Sequence, residues 1–159
     1  MSTRSYIGMV HTNPKNFLEI SYVYCHWDGY PEYNGKILNE YYTDPKKVES
    51  LINHGHISSL APSIGSYNSF EKTNCEVCLF YGRDRGEKYC QPITTTDIWQ
   101  AEKDAAENGA EFLYLYLNGK WYYKPYYHFG KPHTYQDLNE ALKKVNYPPL
   151  FYPPLSSLA

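Results

Sequence analysis

The segment Tyr24-Cys25-His26-Trp27-Asp28-Gly29-Tyr30-Pro31-Glu32-Tyr33-Asn34-Gly35 collects an imidazole, an indole, phenols, carboxylates and glycines in a short reach of chain. Tyr24, Trp27 and Tyr30 offer flat faces on which a nucleobase or another ring can stack. His26 can hydrogen-bond or move a proton near neutral pH. Together with Asp28 and Glu32 it makes a candidate acid–base set. The Asp28-Gly29 turn, followed by a helix start, would present free backbone N–H groups to an anion. The structural alternative is that Trp27 plugs the core, Asp28 caps the helix and His26 satisfies a backbone carbonyl.

A second candidate is Gly82-Arg83-Asp84-Arg85-Gly86-Glu87. Arg83 and Arg85, one residue apart at a strand end, can grip a phosphate or carboxylate bidentately. Asp84 and Glu87 can orient them. The alternative is a solvated turn whose charges pair with one another. Cys75-x-x-Cys78 suggests a metal or redox pair, yet positions three apart in a strand face opposite sides, so both sulfurs could not hold one ion. One buried and one exposed thiol is the expectation there. Cys25 and Cys90 lack helpful spacing, and His54-Gly55-His56 lies at a helix C-terminus, which favours imidazoles in any case. No metal and no cofactor are expected. Glycine-rich phosphate loops, dinucleotide fingerprints and nucleophile elbows are missing from the sequence.

Strands and helices must place these residues. Ser5 to His11 reads as a strand, and Asn13-Pro14 as a turn. Leu18 to His26 reads as a second strand, antiparallel to the first. Its alternation puts Leu18, Ile20, Tyr22, Tyr24 and His26 on one face, and Glu19, Ser21, Val23 and Cys25 on the other. Pro31 suits the first position of a helix through Ile37, Leu38 and Tyr41. Gly35 inside it would cost about 1 kcal/mol, so either the backbone packs closely there or the helix starts at Gly35. Asp44-Pro45 opens a further helix with Val48, Leu51 and Ile52 inward and Gly55 at its end. Ile57 to Leu60 is a short strand or turn, 61–74 an exposed loop, and Cys75 to Tyr81 a third strand. Thr96 caps a helix from Asp97 to Asn108, with Trp99, Ala105 and Ala106 inward. Asn118-Gly119, between Phe112–Leu117 and Lys120–Tyr127, marks a type I′ hairpin, and apolar residues on both of its faces make it central. Thr134-x-x-Asp137 opens a last helix carrying Leu138, Ala141, Leu142 and Val145. This order predicts an α+β fold: a single domain over 1–146, with a mostly antiparallel sheet and helices packed on one side, then a Pro-rich tail over 147–159.

Composition sets the partners. Of 159 residues, 18% are aromatic, with 19 tyrosines against 6 phenylalanines, a balance that suits recognition surfaces or reflects an A/T-rich genome. A net charge of -2 argues against both a DNA-binding domain and an acidic DNA mimic. No apolar run is long enough for a membrane span, and the N-terminus lacks the apolar core of a secretory signal. A cytosolic protein with reduced cysteines is expected.

The blocks Arg4-Ser5-Tyr6-Ile7-Gly8, His26-Trp27-Asp28-Gly29-Tyr30 and Asp84-Arg85-Gly86-Glu87 resemble a family of small bacteriophage and prophage proteins. The resemblance covers roughly the first 90 residues. It implies an accessory protein in the host cell cytoplasm and, by analogy with other small phage proteins, an inhibitor of host defence. The leading expectation is a binding protein that sequesters a small anionic, nucleotide-derived immune signal. Tyr24, Trp27 and Tyr30 would stack on the base, and Arg83 and Arg85 would hold phosphate. One alternative is a phosphoesterase using His26, Asp28 and Glu32. Another is a protein–protein inhibitor of a host defence protein, using the tyrosine-rich hairpin and the tail. Exposed aromatic strands also make a homo-oligomer plausible.

Overall fold

The computed structural model describes residues 2–144. Strands β1 (Arg4–Thr12) and β2 (Leu18–Cys25) form the expected antiparallel hairpin, with Ser5 opposite Cys25 and Thr12 opposite Leu18. A turn of π-helix over Pro31–Gly35 leads into α1 (Lys36–Tyr41). Both expectations for Gly35 hold: α1 starts just after it, and a Cβ there would stand 3.2 Å from Leu138 and 3.4 Å from Tyr114. Helix α2 (Pro45–Asn53) is capped by the Asp44 carboxylate, which accepts from Lys46 N–H, and buries Val48, Leu51 and Ile52.

Short elements follow: β3 (Ile57–Ser59), β4 (Leu79–Phe80), α3 (Tyr81–Arg85) and β5 (Ile93–Thr95). Next come α4 (Ile98–Glu107), β6 (Ala110–Leu117), β7 (Lys120–Pro125), β8 (Gln136–Asp137) and α5 (Leu138–Lys144). The strands make one eight-stranded mixed sheet in the order β4-β3-β2-β1-β6-β7-β8, with β5 also paired to β2. Most pairings are antiparallel; β1–β6 and β2–β3 are parallel. The fold is α+β. The type I′ hairpin forms as expected, with Asn118 and Gly119 both at positive φ. Val145 and the Pro-rich 147–159 lie outside the described residues.

Both faces of the sheet are covered. Ile7, Val23, Tyr114, Tyr116 and Trp121 pack with Leu38, Leu51 and Leu138 from α1, α2 and α5. Tyr6, Ile20, Tyr22, Leu113 and Leu115 pack with Ala101 and Ala105 of α4. The helices therefore do not all share one side. β6 is apolar on both faces, so each face needs a cover, and α4 supplies the second.

Other expectations change for local reasons. The strand over Cys75–Tyr81 shrinks to β4, because Cys75 and Glu76 turn and Tyr81 already begins α3. α4 is capped by Asp97, whose carboxylate accepts from Trp99 N–H, rather than by Thr96. Trp99 is 45% exposed and Ala106 is exposed. The buried stripe is Ala101, Glu102 and Ala105, whose alanines let the helix sit close over Tyr6 and Tyr22. At the last helix Asp137, not Thr134, caps, accepting from Glu140 N–H at 3.1 Å. The 61–74 loop is built around buried Asn68, whose carboxamide donates to Asn74 O and Val77 O and accepts from Ser69 N–H and Asn74 N–H.

Candidate functional site

The outer edge of β2 changes partner midway. β5 pairs with Ile20 to Tyr22, and β3 takes over at Cys25. Between them the Tyr24 N–H has no strand opposite, and the His56 ring fills the gap: Nδ1 accepts from Tyr24 N–H at 3.1 Å. A backbone N–H can only donate, so His56 carries its proton on Nε2. Burial lowers the His56 pKa, and Asp104 opposes that shift.

Beyond β2 the ladder continues, with His26 N–H donating to Ile57 O and Trp27 N–H to Ser58 O. His26 therefore sits just past the strand, on the face of Tyr24, as its alternation predicts. The Tyr24 hydroxyl and His26 Nδ1 are 2.6 Å apart. When the phenol donates, His26 Nε2 keeps the proton and faces away from Tyr24. Burial lowers the His26 pKa, and the Arg4 guanidinium lowers it further. The His26 and Trp27 rings meet edge to face at 4.7 Å. Trp27 is 44% exposed, so it does not plug the core and its indole is available for contact.

Arg4 was not singled out by sequence. It opens β1, beside the C-terminal end of α4, where its Nη1 stands 2.9 Å from the position of a Cβ on Gly109. Its charge acts on both Tyr24 and His26. Among the described residues its guanidinium makes no hydrogen bond and no ion pair. Tyr81, at the start of α3, completes the patch: it acts electrostatically on Tyr24, and burial raises its own pKa.

The Asp28–Gly35 part of the motif is structural. Gly29 N–H donates to Thr3 O, Tyr33 N–H to Tyr30 O, and Asn34 N–H to Asp28 O. Of the backbone donors expected to face an anion, those of Gly29, Tyr33 and Asn34 are thus engaged inside the chain. Gly29 O accepts the Tyr114 hydroxyl at 2.6 Å, and the Asn34 carboxamide donates to Trp27 O at 3.0 Å. Asp28 adopts φ 55, tolerated by a short polar side chain. Its carboxyl, raised by burial, faces Tyr30 at 3.4 Å. Glu32 acts on Tyr30, Tyr114 and Tyr123. The acid–base set His26, Asp28, Glu32 is not assembled, because strand geometry sends His26 to one face and the turn sends the carboxylates elsewhere. Tyr30 pairs with Tyr33 rather than with Trp27.

The two arginines of the second candidate part company. Arg83 and Arg85 lie on a helical turn, not in an open loop. Arg83 donates to Ile64 O, Gly65 O, Cys78 O and Asp84, and its side chain is 14% exposed. Its fork is spent on holding the 61–78 segment, so it does not serve a ligand. Burial pushes the Asp84 carboxyl up, but hydrogen bonds from Arg83, Phe80 N–H and Asn68 N–H outweigh that and bring it below the usual carboxylate range. Arg85 is half exposed, pairs with Glu87, and lies over the rings of Phe70 and Tyr81 at 4.3 and 5.3 Å. It reaches the Tyr81 end of the Arg4–His26 patch.

Cys78 is buried against the Tyr42 hydroxyl and Ala61 N–H, while Cys75 is exposed, the split expected of a strand-like pair. His54 caps α2, its Nδ1–H donating to Ser50 O at 2.6 Å. Among the described residues no helix is long and apolar enough to cross a membrane. Neither a family model, nor a curated protein, nor a solved structure matches the chain.

Proposed function

We propose that this protein binds and sequesters a small anionic, nucleotide-derived ligand at the patch formed by Arg4, Tyr24, His26, Trp27, Tyr81 and Arg85. The observation that carries the reading is the state of Arg4: a guanidinium beside an imidazole and a phenol, with no protein partner among the described residues. A guanidinium whose charge is felt by both groups and which is left uncommitted suits a phosphate. Arg4 supplies the charge, His26 Nε2–H a further donor, and the exposed indole of Trp27 a stacking face. Arg85, already neutralised by Glu87, is a rim contact. Asp28 and Glu32 face other groups, which favours sequestration over phosphoester cleavage. The resemblance to phage and prophage proteins supplies the biological setting, in which the ligand is a host immune signal. A second reading, a protein–protein inhibitor, draws on Tyr126 and Tyr127, which are 57% and 61% exposed beside β7.

The test is native mass spectrometry on the full chain purified from cells with active nucleotide-signalling defence. A nucleotide-sized adduct that disappears in Arg4→Ala and in His26→Ala supports sequestration. The adduct recovered as a cleaved product would replace it with catalysis. A bare wild-type mass, or a co-purifying host protein, would discard it for the inhibitor reading.

A further inference from the structure

Between the end of α2 and the 86–91 segment, beside Gly82 of α3, lies a cleft of about 470 Å³, within the range of small-ligand sites. It shares no side chain with the Arg4 patch. Gly55 at the end of α2 and Gly82 in α3 line it, and the missing side chain at Gly55 lets the 86–91 segment close down on the end of α2. The far wall is the 86–91 segment, and Tyr89 on it combines two features that packing does not explain. It stands at φ 61, a left-handed conformation unusual for a bulky residue, and it is 87% exposed.

The segment is forced into this shape from both sides. Gly86 N–H donates to Gly82 O and Glu87 N–H to Tyr81 O. His56 N–H donates to Cys90 O at 2.8 Å, and Cys90 O rests so closely on Gly55 that a Cβ there would come within 2.1 Å of it. Tyr89 is thus an aromatic ring held outward on a pinned loop, over a cleft, with no packing of its own to secure.

The remaining lining indicates the ligand; its one carboxylate, Glu87, is paired with Arg85. Asn53 and Gln91 bring carboxamides, the groups that pair bidentately with the hydrogen-bonding edge of adenine. His54 brings a ring fixed by its Nδ1–H bond to Ser50 O and stacked on Phe80 at 4.8 Å, so its Nε2 is the acceptor left over in the neutral ring. Lys88 brings a cation. We infer that this cleft is a nucleobase-binding site of adenine type, with the base stacked on Tyr89, its edge read by Asn53 and Gln91, and an attached phosphate directed to Lys88.

The experiment is calorimetric titration of the full chain with AMP, adenosine and inorganic phosphate. AMP and adenosine should bind and phosphate alone should not. Tyr89→Ala should weaken AMP binding roughly tenfold, the effect of losing one base-stacking ring, and Tyr89→Phe should retain it. Tyr89→Gly should also lose binding, yet melt no lower than wild type, because glycine relieves the left-handed backbone. The inference is overturned if millimolar AMP does not bind, if Tyr89→Ala binds like wild type, or if Tyr89→Gly melts lower. AMP binding that is lost in Arg4→Ala but kept in Tyr89→Ala would overturn this site and support the Arg4 patch. The reverse pattern would support this site without the other.

Discussion

Lys124 and Arg4 are both cations beside α4 and beside tyrosines, and there the likeness ends. Lys124 is 1% exposed, and its Nζ donates to Glu102 at 2.9 Å and to Lys131 O at 2.9 Å. It also lies 4.5 Å from the centre of the Tyr135 ring. Glu102, 2% exposed, spends its remaining capacity on Gly130 N–H and the Tyr135 hydroxyl, both at 2.8 Å. Every member of that cluster has a partner, and the cluster joins α4, β7 and the 126–135 loop. Arg4 is exposed and has no such partner among the described residues. The difference separates two uses of charge. A completed network fixes architecture, because each polar group taken from water is repaid by another. An incomplete one at the surface is open to a ligand.

The largest effect should come from breaking the completed network. Glu102→Ala strands a buried ammonium, a backbone N–H and a phenol, and should lower unfolding free energy by about 3–5 kcal/mol. The double variant Glu102→Leu/Lys124→Met removes both charges and should lose clearly less than the sum of the single variants. Urea denaturation measures both. A loss under about 1 kcal/mol for Glu102→Ala would mean that the pair is not the structural pin its burial implies.

A smaller effect tests the His56 ring at the β2 edge. Its folded pKa is lowered by burial, and protonation at Nδ1 would also break its bond to Tyr24 N–H. The unfolded chain therefore binds the proton more readily. The stabilisation is full above the ordinary histidine value and is lost as pH falls from there through the lowered folded value. His26, also lowered, acts in the same direction. Asp28 is raised, so its contribution runs the other way: present at acid pH and lost as pH rises through its folded value. In His56→Gln the carboxamide oxygen can accept the Tyr24 N–H and does not titrate. The wild type should lose more melting temperature than this variant between about pH 7.5 and about pH 5. Parallel curves would show that His56 is not a titrating part of the edge.

Much of this contrast was hidden in the sequence for one physical reason. Signals confined to a few residues were legible: the Asn118-Gly119 hairpin, the Asp44 cap with Pro45, and the β1–β2 pair with its alternating faces. They depend on local φ and on side-chain period alone. What depended on distant partners was not. Arg83 looks like a ligand residue until the carbonyls of Ile64, Gly65 and Cys78 arrive to fill its fork. Glu102 looks like a solvent-facing helix residue until Lys124 meets it from β7. Short strands such as β3, β4 and β5 have too few residues to show a period, and they form only because β2 offers an edge to each. Of the site, Tyr24, His26 and Trp27 were visible as a cluster, while Arg4, Tyr81 and His56 join it only through the sheet.

The smallest effect on stability should accompany the largest on binding, and it is the sharpest test of the contrast. Arg4 is exposed, and among the described residues nothing in the fold depends on its guanidinium for a hydrogen bond. Its one structural benefit is proximity to the C-terminal end of α4, near Gly109, where a cation is favoured by a few tenths of a kcal/mol. Arg4→Ala should therefore change unfolding free energy by no more than about 0.5 kcal/mol, as for other surface changes. Arg4→Lys should be equally silent in stability, yet it should not restore full ligand retention, since a point charge cannot reproduce the bidentate fork. A loss of about 2 kcal/mol or more in Arg4→Ala would place Arg4 with Lys124 among the architectural cations, and the distinction between completed and open networks would fail at its central example.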